Sequence, residues 1–228
     1  MKPQGSRGMN LAKAAFFDAQ VGSQWAADDY GPAEAPKIRR LLAEADFRSG
    51  LAVLEPGCGT GRLTEVLADA VVPGGRIEAL EISPRMVEVC RRRLARRTNV
   101  VVHYTALEEY QGSAESFDRI ICHQVFPHFD DKPAALAQLA KLLRPSGLLV
   151  VVHFINAVEI NDVHRKAGTI VEGDLMPPRE EMRRLFRGAG LAIDMHVDDT
   201  LGYFLRAACP DRGNAAAEAG AYAWGKRA

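Results

Sequence analysis

The sequence predicts an α/β protein: a doubly wound, mostly parallel seven-stranded sheet with helices on both faces and a helical cap at the N-terminus. Three observations carry that expectation. Apolar runs of strand length alternate with segments of helical periodicity between residues 51 and 153, the pattern of consecutive βα units. Crossovers between parallel strands are right-handed, so such units lay helices on both faces of one sheet. After residue 153 the alternation gives way to a polar stretch, a further helix and two closing strands. The 228 residues are 47% hydrophobic and 25% charged, a composition able to bury a core without disulfides or a structural metal.

Each element has its own signal. Residues 1–10 are a polar lead-in. Leu11, Ala14, Ala15 and Phe16 then cluster near one helical face, and Ile38, Leu41 and Leu42 mark a second helix over 33–45. Trp25 and Tyr30 sit in the polar linker between them, and the whole of 1–48 reads as a cap. The first strand, 51–54, runs into Glu55 and a Gly-rich turn, followed by a helix over 63–70. The second strand, 76–80, ends at Glu81. Residues 83–97 read as a helix with Ser83 at its N-cap and Pro84 at its first position. Val87, Cys90 and Leu94 face inward there, so the basic run 91–97 falls on a solvated face.

Strands follow at 100–104 and 117–122. A helix over 132–143 is stopped by Pro145, and the fifth strand covers 148–153. Residues 154–178 form a polar, helix-bearing insertion closed by Pro177-Pro178, placed to act as a lid. A helix over 179–190 turns Met182, Leu185 and Phe186 inward, and strands at 191–197 and 202–208 close the sheet as a pair. Residues 1–208 are therefore expected to be one domain, with 209–228, rich in Ala and Gly, as a flexible tail.

Composition narrows the function. Lys and Arg total 29, as do Asp and Glu, so no global charge draws the chain to nucleic acid or an anionic membrane. No apolar run approaches the roughly 20 residues that cross a bilayer, and the N-terminus lacks the apolar segment of a signal peptide. Cys58, Cys90, Cys122 and Cys209 form neither a C-x-x-C pair nor a regular framework, which reads as free thiols in a reducing cytoplasm. No metal is assigned, and the sequence sets no oligomeric state.

The strongest local signal is Leu54-Glu55-Pro56-Gly57-Cys58-Gly59-Thr60-Gly61, between the first strand and the first helix of the alternation. Open parallel sheets bind ligands at such places. Glycines there let a backbone approach a ligand closely or adopt positive φ, and Glu55 can accept from an ammonium or hydroxyl. A dinucleotide grip, G-x-G-x-x-G, needs glycine where Arg62 stands. Cys58 reads as a small apolar filler, because no His or Lys is adjacent in sequence to activate it.

The acidic-x-G-x-G-x-G turn resembles motif I of the class I S-adenosylmethionine-dependent methyltransferases, a family with a Rossmann-like sheet. Phe117-Asp118-Arg119-Ile120-Ile121-Cys122 resembles that family's fourth strand, and Leu143-Arg144-Pro145-Ser146-Gly147-Leu148 the turn into its fifth. The likeness covers residues 50–153 well and 179–208 in outline, and is strongest to the small-molecule branch with the ubiquinone and menaquinone methyltransferases. It implies that Gly57, Cys58, Gly59 and Gly61 wrap the amino-acid part of S-adenosyl-L-methionine. It implies that Glu81 accepts both ribose hydroxyls, that Ile82 lies against the adenine, and that His123 borders the cofactor. The family's third strand usually ends in a Gly-Asp-Ala-like turn. Here Tyr104-Thr105-Ala106-Leu107 stands instead, so the adenine falls to backbone N–H groups of Ala106 and Leu107, or to Glu108.

Histidines are the second feature. His103, His123, His128, His153 and His196 fall at or after strands, and His164 lies in the insertion. Three readings stay open for them: an acceptor site with one near-neutral base and hydrogen-bond donors, metal ligands drawn from separate loops, or structural caps. His103 and His196 are read as structural, and His128, His153 and His164 as the catalytic candidates.

The expected function is methyl transfer from S-adenosyl-L-methionine to a small-molecule acceptor. Phe16, Phe17, Trp25 and Tyr30 of the cap, with Phe126 and Phe129, would exclude water. The alternatives are a non-catalytic S-adenosylmethionine-binding module, an RNA methyltransferase, and, least favoured, an NAD-type oxidoreductase.

Overall fold

The computed structural model describes residues 8–209. Seven strands make one sheet in the order β3-β2-β1-β4-β5-β7-β6. They are β1 (Ala52–Pro56), β2 (Arg76–Glu81), β3 (Val100–Tyr104), β4 (Phe117–His123), β5 (Leu143–His153), β6 (Ala192–Asp199) and β7 (Gly202–Ala208). The first five are parallel, and β7 runs antiparallel to both β5 and β6. The expected architecture, including the closing pair, is the one found.

The helices are α1 (Leu11–Ala19), α2 (Gln24–Ala27), α3 (Ala35–Glu44), α4 (Arg62–Ala70), α5 (Pro84–Arg93), α6 (Lys132–Leu142), α7 (Ala157–Lys166) and α8 (Arg179–Gly188). Single 3-10 turns follow β3 and β4, at Leu107–Glu109 and Phe126–His128. Ser83 caps α5 as expected, accepting from Met86 N at 3.1 Å. That helix ends at Arg93, four residues before the expected end, yet Val87, Cys90 and Leu94 are buried. The arginines are paired as well as solvated: Arg93 meets Asp29 at 2.5 Å and Glu65 at 3.5 Å, and Arg92 meets Glu88 at 2.8 Å.

The core lies on both faces of the sheet because consecutive strand residues point opposite ways. Leu54, Ile120 and Val151 pack on one side with Phe126 and Phe186. Their neighbours Val53, Ile121 and Val150 pack on the other with Leu67 and Phe204. Every residue of β1 is buried, as a central parallel strand requires.

The start of β5 differs from expectation as well. β5 begins at Leu143, and Arg144-Pro145-Ser146 lies within it instead of forming a turn. Leu143 pairs with Phe117, and the register shifts before Arg119 meets Leu148. Pro145 falls in that irregularity, where a missing N–H costs no ladder bond. Ser146, at φ 59°, donates its N–H to Cys209 O at 3.3 Å. Of the expected tail, Cys209 follows β7 and donates its N–H to Gly147 O at 3.2 Å, and residues 210–228 lie outside the described residues.

Candidate active site

At the carboxyl ends of β1 and β4 the strand order reverses: β2 and β3 lie to one side of β1, and β4 onward to the other. Ligands of open α/β sheets bind in the crevice outside such a point. A cavity of about 1790 Å³ lies there, larger than the roughly 300–1,000 Å³ of a one-ligand pocket.

The turn after β1 forms its floor. Gly57, Gly59 and Gly61 all have positive φ, at 70°, 57° and 83°. Gly57 N and Cys58 N donate to Leu80 O at 2.7 and 3.0 Å, which ties the turn to β2. A Cβ at Gly57 would meet Val125 Cγ2 at 2.4 Å, and one at Gly61 would meet Cys90 Sγ at 2.7 Å. Those two glycines answer to the protein's own packing. Beside Gly59 the nearest atom to a built Cβ is Met86 Sδ, at 3.9 Å, so protein packing leaves room there. Gly57, Cys58 and Gly59 border the cavity, whereas Gly61 lies behind it. Cys58 is buried with its Sγ 3.9 Å from Cys90 Sγ, and that hydrogen bond and burial push its thiol well above the ordinary range.

The two acids at the strand ends sit differently. Glu81 borders the cavity and is 6% exposed. Its Oε1 accepts from Ile82 N and Ser83 N, both at 2.8 Å, and its Oε2 accepts from Gly59 N at 2.9 Å. A carboxylate has about four acceptor directions, so Oε2 keeps one. Two ribose hydroxyls therefore need Gly59 N to release Oε2, which the sequence did not reveal. Burial raises the Glu81 carboxyl, and the three backbone donors oppose that rise. Glu55 is also buried but borders no part of the cavity, and its Oε2 has no partner. Burial pushes its carboxyl up to about 8, against a lowering by Thr64 and with a further rise from Glu81. It stands outside the cavity lining, at the strand end beneath the turn. Ile82, Ala106, Leu107 and Glu108 all border the cavity beside Glu81.

Four histidines share this cavity wall: His123, His128, His153 and His164. His123 ends β4 and its Nε2 is buried without a partner. Burial, then the charge of Arg62, holds its imidazole down to about 3. His153 ends β5, is 3% exposed, and its Nε2 also lacks a partner. Burial and the neighbouring His123, His128 and His164 hold it neutral, well below the ordinary range. His128 and His164 lie with ring centroids 4.7 Å apart. His128 Nδ1 is 2.8 Å from Asp174 Oδ2, and His164 Nδ1 donates to the backbone oxygen of the same residue. Burial, then the charge of His128, lowers His164. The expected catalytic trio thus comes to the glycine-turn end of the sheet. His103 and His196 stand apart from it: His103 Nε2 lies 3.2 Å from Glu78 Oε2, and His196 packs on Tyr203. No group of three or more His, Cys, Asp or Glu able to hold a metal occurs among the described residues.

Two residues were not singled out in the sequence: Lys13, which borders the cavity, and Asp174, which does not border it but bonds to Lys13 and His128 that do. Lys13 is 5% exposed, and its ammonium reaches Asp174 and Asp130 at 2.8 Å each. Asp174 lies in the irregular stretch between α7 and α8. The cap residues Phe16, Phe17, Trp25 and Tyr30 border the same space, Tyr30 beneath the Arg62 guanidinium at 4.2 Å.

Known proteins share this architecture. Residues 53–147 match a family model described as a methyltransferase domain. This segment spans β1 to the start of β5 and holds the glycine turn and Glu81. Residues 53–147 form a class I methyltransferase domain. The ubiquinone biosynthesis O-methyltransferase of Methylocella silvestris is 35% identical over 102 residues, which are 44% of this chain and 38% of that protein. The O-methyltransferase cnsE of Penicillium expansum is 31% identical over 164 residues, 68% of this chain and 58% of that protein. The chain thus spans little more than a third to three fifths of the length of these relatives. A crystal structure of an S-adenosylmethionine-dependent methyltransferase from Aquifex aeolicus shares the fold at a TM-score of 0.63 and 17% identity, covering 87% of this chain and 96% of that one.

Class I methyltransferases use S-adenosylmethionine, and the residues here fit it. The open space beside Gly59 has no packing reason to stay empty, and the buried Glu81 carboxylate keeps an acceptor direction at its edge. No described helix is long and apolar enough to cross a membrane.

Proposed function

We propose that this protein transfers a methyl group from S-adenosyl-L-methionine to a small-molecule acceptor. The observation that carries the reading is one cavity joining the glycine turn and Glu81 to His128, His153 and His164. When bound, the cofactor supplies an electrophilic methyl on a sulfonium. In this reading Gly57, Cys58 and Gly59 hold its amino-acid end. Glu81 takes the ribose, with Gly59 N released from Oε2, and Ile82, Ala106, Leu107 and Glu108 flank the adenine. His123 borders it as a neutral imidazole.

The rest of the chemistry is alignment, water exclusion and removal of a proton. Phe16, Phe17 and Phe129 supply apolar wall, and the cavity has space for a second ligand. Residues 154–178 act as the lid over that space, within a single domain of residues 1–208. His128, His153 and His164 are the proton-handling candidates. The names of the relatives favour an oxygen nucleophile on a small molecule, and the balanced charge disfavours nucleic acid. Four free thiols favour the cytoplasm.

Calorimetry with S-adenosylmethionine and S-adenosylhomocysteine tests the core of this. Micromolar binding, about −8 kcal/mol, is expected, and Glu81→Ala should weaken it by roughly 1–3 kcal/mol. Binding of NAD with no binding of either sulfur ligand would overturn the assignment. Cofactor turnover with any acceptor separates an enzyme from a binding module.

A further inference from the structure

One polar cluster is assembled from four separate segments, and three of its members, Lys13, His128 and His164, border the cavity, whereas Asp174 does not. Lys13 comes from α1, His128 from the turn after β4, His164 from α7, and Asp174 from the stretch between α7 and α8. Asp174 is the hub. Its carboxylate accepts from Lys13 at 2.8–2.9 Å and lies 2.8 Å from His128 Nδ1, while its backbone oxygen faces His164 Nδ1. Carboxylate and carbonyl oxygens only accept. Both Nδ1 atoms must therefore carry hydrogen, and each neutral ring keeps its lone pair on Nε2.

We propose that Asp174 is the positioning residue of the acceptor site: it holds His128 as the Nδ1–H tautomer, so that Nε2 is the proton acceptor for the acceptor's nucleophile. This rests on the methyltransferase reading above. The proton leaves the acceptor for Nε2, and the imidazolium so formed keeps its Nδ1–H bond to an ionised carboxylate, which stabilises it. Lys13 makes that carboxylate tenable in a half-buried place. Burial alone would raise Asp174, but the hydrogen bonds from His128 and Lys13 more than offset it and hold the carboxyl below its ordinary range. His164 and His153 are poorer proton acceptors, since neither has a carboxylate partner and burial lowers both.

The groups facing His128 give the test its signs. Asp174 is the anion beside it. Lys13 is the cation, shared with Asp130, and donates to His128 O at 2.8 Å. His164 and His153 are neutral unless protonated. Asp174→Asn should therefore lower the proton affinity of His128, and Lys13→Met should raise it, each on the order of tenfold.

The experiment is nitrogen-15 NMR of the histidine rings in the full chain with S-adenosylhomocysteine, titrated with pH. The expected result is a neutral His128 in the Nδ1–H tautomer, with the two variants shifting its titration in opposite directions and binding S-adenosylhomocysteine within about twofold of the parent. An Nε2–H tautomer at His128, or titrations that do not move in opposite senses, overturns the proposal. If Asp174→Asn does not fold, the parent tautomer and Lys13→Met decide. Failure of the parent to bind S-adenosylhomocysteine by calorimetry would instead overturn the methyltransferase reading, and the ring tautomer would still be measured.

Discussion

A Cβ on Gly57 would drive into Val125 at 2.4 Å, while one on Gly59 would meet nothing nearer than Met86 Sδ at 3.9 Å. Both residues sit at positive φ, which costs any L-residue roughly 1–2 kcal/mol. Gly57→Ala should therefore lower stability by clearly more than Gly59→Ala in matched denaturant melts. Gly59→Val should instead abolish S-adenosylhomocysteine binding while the protein stays folded; unchanged affinity would mean the loop does not face the cofactor. Glu55 makes a different prediction. Its folded carboxyl titrates near 8, above its ordinary value of 4.5, so the native state binds a proton more tightly than the unfolded chain. That contribution is full below about pH 4.5 and is lost as pH rises toward 8. Glu55→Gln should thus raise the melting temperature at pH 8 more than at pH 5, and equal changes at both would mean Glu55 is not buried as a neutral acid. The sequence made the turn legible because glycine spacing is local. It could not show that Glu55 sits beneath the turn while Glu81 spends three acceptor directions on backbone, because those are tertiary facts.

Among the elements, β5 and the segment after α7 show where pattern reading runs out. Pro145 reads as a stop, yet a neighbouring register shift lets the strand pass through it. Asp174 has no helix, strand or motif around it, and its partners lie 161 residues back at Lys13 and 46 back at His128. Capping is local and was legible at Ser83, whereas the cap on α3 is not. Arg119, on β4, sends Nε to Ala45 O at 2.5 Å and a second nitrogen to Asp46 O at 3.2 Å and Asp46 Oδ2 at 3.0 Å, satisfying the helix end from across the core. Burial lowers the arginine's pKa but leaves it charged, since the Asp46 carboxylate opposes that shift. Arg119→Met removes these bonds and leaves the carbonyl of the buried Ala45 unpaired, at a cost of about 1–3 kcal/mol. Chemical denaturation should report that loss while S-adenosylhomocysteine affinity stays as it was. A fall in affinity as well would mean that α3 and the cap help shape the cavity.

At the scale of the whole molecule, stability and function occupy opposite needs of one sheet. A fully buried β1 and a largely buried β4 lie side by side, and the reversal of strand order between β2 and β4 leaves the crevice that the glycine turn, the histidines and the cap then enclose. The cavity wall draws on α1, the turns after β1 and β4, and α7, so a ligand seated there joins segments distant in sequence. Binding to the native state alone stabilises it by about 2.7 kcal/mol at a ligand concentration 100 times Kd. For a chain of this size that is a rise in melting temperature of roughly 5–10 °C. The variants above should then separate cleanly. Arg119→Met starts from a lower melting temperature but keeps the full rise with S-adenosylhomocysteine, because its damage lies in the core. Gly59→Val starts nearer the parent and shows no rise, because its damage lies in the crevice. Should both variants lose the rise together, the cofactor end of the sheet is not independent of the α3 contact.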